Sequence, residues 1–268
     1  MIIPAVFTHL EPSIGFAWAT RSIGFIVLIT CTLPMVVMRY PTRELPGILR
    51  PSESSRRQNF LKAWTSSIID KQALQDLPLV LVVIGLIFSF MGIYVMLYYV
   101  NLLAEQRMNA PRCLAEQTLT ILNGASTLGR ILPSVLADQI GAVHVLIITS
   151  CMSSILAFSA YMLHNSVGLI IWTVAFGTFS GAFMALPAAG VVSVASSRSN
   201  IGSKLGMTLG AVGCGVLIAE PVAGAILGTQ TSGWFGLVAW SGSLMMTGCL
   251  SMVLARFKKT GLVFEVKI

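Results

Sequence analysis

Charge is what this chain has least of. Asp, Glu, Lys and Arg make up 10% of its 268 residues, against about 25% in a soluble domain. That scarcity excludes a disordered chain, nucleic-acid binding as a main activity, and an ordinary cytosolic enzyme. Histidine is scarce as well. His9, His144 and His164 sit at or near the ends of apolar segments, apart from one another. The five cysteines, Cys31, Cys113, Cys151, Cys214 and Cys249, stand at no metal or redox spacing, and all but Cys113 fall within apolar segments. No metal, cofactor or disulfide framework is expected. Ser-His-Asp sets, paired carboxylates and phosphate-cradling loops are missing too. Gly213 and Gly215 lie inside an apolar segment away from any strand, so they do not form a dinucleotide turn. The chain is therefore not expected to be an enzyme.

What it has is apolar length. Hydrophobic residues make up 55% of the chain, and the mean hydropathy is +0.83. Seven apolar runs approach the roughly 20 residues that a helix needs to cross a bilayer. They cover 18–38, 79–100, 118–137, 143–163, 167–192, 205–228 and 234–255, and the third is the least apolar. The expected fold is an all-α, multi-pass transmembrane helix bundle. Met1–Leu10 is apolar but too short to span. It has no basic leader or small-residue cleavage site, so a signal peptide is not expected.

The net charge of +7 records orientation. Residues 39–77, between the first two runs, hold Arg39, Arg43, Arg50, Arg56, Arg57, Lys62 and Lys71. On the same side fall Arg198, Lys204, Arg256, Lys258, Lys259 and Lys267, while the other side has only Arg21, Arg107 and Arg112. Basic residues accumulate on the cytoplasmic side, so the long loop and the C-terminus are expected there. Residues 39–59 read as a flexible linker rich in Pro, Ser and Arg. Phe60, Trp64 and Ile68 then recur at helical spacing among polar residues, which fits an amphipathic helix on the inner membrane face. The remaining loops are short, so successive helices are antiparallel neighbours.

Two ionisable residues fall within the runs, where charge is costly and marks a candidate functional position. Arg130 precedes Asp138 by eight residues, about 12 Å along a helix. With Asn123, Ser126 and Ser134 it forms a polar stripe that cannot face lipid. A guanidinium there suits a carboxylate, which it binds through two parallel charge-assisted hydrogen bonds. A structural role, tying down helix-end carbonyls or Asp138, fits the sequence equally well. Glu220 shares a face about 80° wide with Gly206, Gly210, Gly213, Gly224 and Gly228, at roughly 100° per residue. Small faces let helices approach closely, so Glu220 faces protein or a cavity. It reads either as a proton carrier or as a neutral, hydrogen-bonded carboxyl. In the second run Tyr94, Tyr98 and Asn101 share one face, with Gly85, Ser89 and Gly92 opposite. Tyr98 and Tyr99 also fit an interfacial aromatic belt, and Tyr94, about two turns deeper, is the stronger substrate-contact candidate. Gly177 and Gly181 form a GxxxG suited to helix packing.

The stretch Asn123-Gly-Ala-Ser-Thr-Leu-Gly-Arg130-Ile-Leu-Pro133, running on to Ala137-Asp138-Gln-Ile-Gly141, resembles a major facilitator superfamily signature. It is similar to the end of helix 8 and the loop to helix 9 in that family's monocarboxylate-transporter-like branch, its fungal members above all. Gly15-Phe16-Ala17-Trp18 with Arg21 and Gly24-Phe25 resembles the start of helix 6. Phe176-Gly177-Thr-Phe-Ser180-Gly181 with Leu186-Pro187 resembles helix 10, and Ile201-Gly202-Ser-Lys-Leu-Gly206-Met207 with Pro221-Val-Ala-Gly224 resembles helix 11. The resemblance covers nearly the whole chain.

It implies the C-terminal half of a twelve-helix carrier plus one helix of the N-terminal half. Residues 1–38 would end the first half, with its last helix at about 18–38. Residues 39–77 would be the central cytoplasmic loop, 78–256 the six-helix half, and 257–268 a cytoplasmic tail. An N-terminally truncated chain is thus expected: either a carrier of a small organic acid or secondary metabolite, or a non-transporting fragment that needs a partner chain. The family implies alternating access around a site between two halves. It also implies an Arg that contacts the substrate carboxylate, with an Asp one turn earlier. Arg130 matches that Arg, but Ser126 occupies the Asp position, so coupling of that kind loses its carboxylate. Glu220 stands where fungal relatives often have a small residue. Substrate contacts are expected from Arg130, Asn123, Ser126, Tyr94 and Tyr98, and coupling or gating from Glu220, Asp138 and Gly141. The expected setting is a lipid bilayer, such as the plasma membrane, with an organic anion or metabolite as partner and no nucleic acid.

Overall fold

The computed structural model describes residues 2–37, 75–107, 111–163, 165–195, 201–229 and 233–260. The chain divides into two compact units, 1–59 and 60–268. All of the expected linker and amphipathic helix except residues 75–77 lies outside the described residues, as do residues 261–268 of the expected tail.

In the first unit, α1 (Ile2–Val37) is two helices joined at Gly15, whose φ of 78° breaks the helical run. Only glycine adopts that conformation without a steric cost. Beyond the break, the Arg21 guanidinium lies over the Trp18 ring, 5.1 Å from its centroid.

The second unit is all helix among its described residues: α2 (Leu77–Gln106), α3 (Arg112–Ile140), α4 (Ala142–Ser159), α5 (Ser166–Ala185), α6 (Pro187–Val194), α7 (Ile201–Thr229) and α8 (Gly233–Thr260). Its breaks follow from residue type. Pro78 stands in the first turn of α2, where a missing N–H costs nothing. Pro187 donates no hydrogen bond and separates α5 from α6, which together fill the fifth expected span. Gly141, at φ 97°, is the single residue between α3 and α4.

Among the described residues, α2, α4 with its 3₁₀ extension, α5, α7 and α8 are long and apolar enough to cross a membrane, and a shorter apolar helix covers Gly15–Thr30. The chain is an integral, multi-pass membrane protein. The third expected span is present as α3, which is long enough but has a polar face that lowers its hydropathy. The first expected span runs at its C-terminal end into residues outside the described set.

Helices in lipid gain little from hydrophobic contact with one another, so close approach and hydrogen bonds hold them together. The α2–α8 seam uses both. A Cβ at Gly92 would lie 2.6 Å from Ser241 O, and one at Gly85 would lie 2.9 Å from Gly248 O. Across the seam Ser241 Oγ donates to Gly92 O at 2.9 Å and Ser251 Oγ to Leu81 O at 2.7 Å. Helix α4 joins through hydroxyls as well. Ser89 and Ser150 meet at 2.9 Å, Ser150 Oγ donates to Met245 O at 3.3 Å, and Ser154 Oγ to Gly242 O at 3.0 Å. These buried serines exchange hydrogen bonds that lipid cannot supply.

A second seam pairs α3 with α5. Gly177 rests on Leu122 O, Gly181 on Ser126, and Gly129 on the Thr178 backbone. The GxxxG of α5 is therefore a packing surface. Two further ties close the ends of the bundle. Arg107, at the end of α2, donates to Tyr161 O at 2.6 Å and covers the Tyr161 ring at 3.9 Å. Lys259 Nζ donates to Ser193 O and Val194 O, each at 2.7 Å, and so caps the last carbonyls of α6.

Helix α7 is the least buried of the five apolar helices. Gly202, Gly206, Gly210, Gly213 and Gly228 all face open space. The two kinds of glycine should respond oppositely to substitution. Gly181→Leu should lower stability by about 1–3 kcal/mol through overpacking. Gly210→Ala should leave it unchanged or raise it by roughly 0.5–1 kcal/mol. Thermal unfolding of both variants in detergent measures the difference.

Candidate functional site

The polar stripe of α3 is held by α5. Gly129 and Gly181 bring the two backbones together, and Leu122 and Ala125 are buried on that side. Arg130, one residue beyond Gly129, is turned away and exposed. Among the described residues its guanidinium makes no hydrogen bond or ion pair, with Asp138 or with any other group. The tie to Asp138 that the sequence allowed is not formed. Pro133 breaks the helical hydrogen-bond ladder just past Arg130. Ser134 Oγ donates to Arg130 O at 2.6 Å.

The stripe is not uniform. Asn123 is half-buried, and its amide Nδ2 donates to Leu119 O at 2.9 Å. Ser126 is buried against Gly181 and spends its hydroxyl proton on Asn123 O at 3.0 Å. It lies in the α3–α5 seam rather than beside Arg130 on the open face.

From α2, Tyr94 is exposed and stacks on Phe90, with ring centroids 6.2 Å apart. Phe90 in turn packs on Phe183 at 5.3 Å, so the base of the Tyr94 ring is fixed from two helices. Tyr98 is the most exposed of these rings and meets Tyr99 edge-on at 5.1 Å. The Gly85, Ser89 and Gly92 face packs on α8. Asn101 Oδ1 accepts from Leu119 N at 3.0 Å and joins α2 to α3. Asn101 thus serves the bundle and not the open face.

Glu220 is half-buried on α7, immediately before Pro221. Its Oε2 is buried without a hydrogen-bond partner among the described residues. The carboxyl is within electrostatic reach of the Tyr99 phenol, and the Tyr99 hydroxyl lies against Gly224, one turn further along α7. Tyr99, which fits an interfacial belt, is thus also a neighbour of Glu220. Facing glycines and a tyrosine on an adjacent helix were the available signal. Asp138 is exposed near the end of α3, and Gly141 is buried at the joint, its N–H donating to Ala137 O at 3.0 Å.

Arg130, Tyr94 and Tyr98 are thus each exposed, the guanidinium without a partner among the described residues. Glu220 with Tyr99 forms a separate carboxyl–phenol pair between α7 and α2. A guanidinium can pair with a carboxylate, and an exposed tyrosine ring can pack on an apolar or aromatic body.

The chain is similar to curated fungal transporters. The chain is 31% identical over 244 residues to the MFS-type transporter dbaD of Emericella nidulans, covering 90% of this chain and 51% of that protein. It is similar throughout to fungal major facilitator transporters. The Aspyridones efflux protein apdF of Emericella nidulans is 28% identical over 89% of the chain and 45% of its own length. The MFS-type transporter opdF of Penicillium oxalicum is 27% identical over 100% of the chain and 59% of its own length. The chain spans about half the length of the curated relatives it matches. No family model matches it. The major facilitator likeness accords with an all-helical bundle whose polar face is carried on α3.

Accessibility separates the open face from the seam. With the native cysteines replaced, Arg130→Cys and Tyr94→Cys should react with a water-soluble maleimide in intact membranes. Ser126→Cys should stay protected until the protein is unfolded. Equal labelling of all three would contradict the packing of Ser126 on Gly181.

Proposed function

We propose that this chain is part of a secondary-active carrier that moves a small organic acid or secondary metabolite across a membrane by alternating access. The supporting observation is the likeness to fungal MFS-type transporters along 89–100% of the chain, one of which is named an efflux protein. Export of a metabolite is the direction that this name favours. In this reading Arg130 pairs with a substrate carboxylate. Asn123 lies on the same stripe, Tyr94 and Tyr98 present aromatic faces to the substrate body, and Ser126 supports the stripe from the seam. Glu220 with Tyr99 takes the coupling role that Ser126 cannot fill. Asp138 and Gly141 act at the inner gate between α3 and α4. The membrane is the plasma membrane, with the basic end of the bundle and the C-terminus in the cytoplasm.

Flux of radiolabelled lactate and benzoate, measured in vesicles with the chain in its full native context, tests Arg130. Arg130→Ala should reduce carboxylate flux by about tenfold or more, the effect of losing one charge-assisted pair. Arg130→Lys should fall between. Unchanged flux of every anionic probe would remove Arg130 from the substrate role. Glu220→Gln should leave exchange of labelled for unlabelled substrate intact while abolishing its acceleration by a pH gradient. Retained acceleration would remove Glu220 from coupling.

A second reading concerns assembly. The chain matches about half of its relatives, and the glycine face of α7 is open. Both favour a working carrier that includes further helices, from a longer polypeptide or a second chain. Reconstituted alone, residues 1–268 should show no flux above empty liposomes. Co-reconstitution with the N-terminal half of dbaD should restore it. Flux by the chain alone would overturn this reading.

A further inference from the structure

Two cysteines far apart in sequence meet across the contact between α4 and α8. Cys249 on α8 is buried, and its thiol donates to Ile147 O on α4 at 3.6 Å. Cys151 stands one helical turn beyond Ile147, and a helical side chain leans back over the turn before it. That lean carries the Cys151 sulfur toward the same carbonyl, and the two thiols hydrogen-bond with each other. Neighbouring bonds fix the register. Ser150 Oγ donates to Met245 O at 3.3 Å and Ser154 Oγ to Gly242 O at 3.0 Å, both on α8. The pairing is therefore imposed by the packing of the two helices. A disulfide needs such a start, because it tolerates little backbone movement.

Access differs between the two sulfurs. Cys249 is only 5% exposed. Cys151 is half-buried and borders a stripe of exposed apolar side chains on its own helix, Ile148, Met152 and Ile155. On a membrane helix such a stripe meets lipid tails. A reagent that reaches Cys151 therefore arrives dissolved in the lipid, and a hydroperoxide carried on a lipid chain does so.

We propose that Cys151 and Cys249 form an oxidisable dithiol that a lipid hydroperoxide converts to a disulfide, pinning α4 to α8. The Cys151 sulfur attacks the terminal peroxide oxygen, the O–O bond breaks, and the lipid leaves as an alcohol carrying the thiol proton. Cys151 is left as a sulfenic acid. The Cys249 sulfur then attacks the Cys151 sulfur. The S–S bond forms, the S–O bond breaks, and the hydroxyl departs with the Cys249 proton as water. The thiols lose two electrons and two protons, and the hydroperoxide is reduced to an alcohol and water. Contact between the thiols makes the second step intramolecular, so the sulfenic acid closes before it is oxidised further.

The test uses the chain with Cys31, Cys113 and Cys214 replaced by serine, reconstituted in liposomes. It is treated with cumene hydroperoxide, unfolded in detergent and labelled with a maleimide. Both thiols should be lost together, with a mass loss of two hydrogens and a linked pair of α4 and α8 peptides after digestion. A phosphine reductant should restore both. With Cys249→Ser added, no linkage should form, and dimedone should trap the Cys151 sulfenic acid. Two thiols still free after treatment, Cys151 oxidised to a sulfinic acid beside a free Cys249, or disulfides between chains would each overturn the proposal. A Cys151–Cys214 linkage formed as readily, in a chain that keeps Cys214 and carries Cys249→Ser, would overturn it too. Circular dichroism checks the helix content of each variant. If the serine background does not fold, peptide mapping of the unaltered chain after the same treatment reads the linkage directly.

Discussion

A bilayer removes the usual reason for helices to pack. Apolar side chains are as well solvated by lipid tails as by one another, so association depends on close backbone approach and on hydrogen bonds. The α2–α8 seam satisfies that constraint with glycine and serine. Gly85, Gly92 and Gly248 allow the approach, and Ser241 and Ser251 bond to carbonyls across it. Helix α4 docks onto the same seam through Ser150 and Ser154. The rest of the bundle is arranged around this contact.

That arrangement decides which polar groups are left over. A serine hydroxyl that bonds a neighbouring carbonyl is part of the packing and contributes little to recognition. Ser150, Ser154, Ser241 and Ser251 are committed in this way, Ser89 shares a hydrogen bond with Ser150, and Ser126 bonds Asn123 O of its own helix. Arg130 and Tyr94 are not, because Gly129 and Phe90 on their own helices absorb the close contacts. The bundle commits its small and hydroxylated residues to assembly and leaves Arg130, Tyr94 and Tyr98 exposed.

Much of this was legible in the sequence. Long apolar runs located the helices, because hydropathy over about 20 residues is a property of sequence alone. Opposite faces of α2 separated Gly92 from Tyr94 by helical period, and the structure packs one and exposes the other. Three points escaped. Ser126 lies about 40° from Arg130 around the helix, so period alone could not show that the edge of the α5 contact falls between them. The proximity of Tyr99 to Glu220 joins residues far apart in sequence, which helical period cannot show. The glycines of α7 suggested close packing, yet most face open space, since a small residue permits contact without naming the partner. The inter-helix serines carry a sequence signal of their own: Ser150 and Ser154 recur one turn apart in a largely apolar run.

Gly141 joins two long helices through a single residue. A joint of that length leaves α3 little room to slide along its axis independently of α4. Any displacement of its polar face must be carried into α4, and through Ser150 and Ser154 into α8. Arg130 therefore rides on a lever whose far end is bolted to the central seam, and a movement at one end is felt as a change of packing at the other.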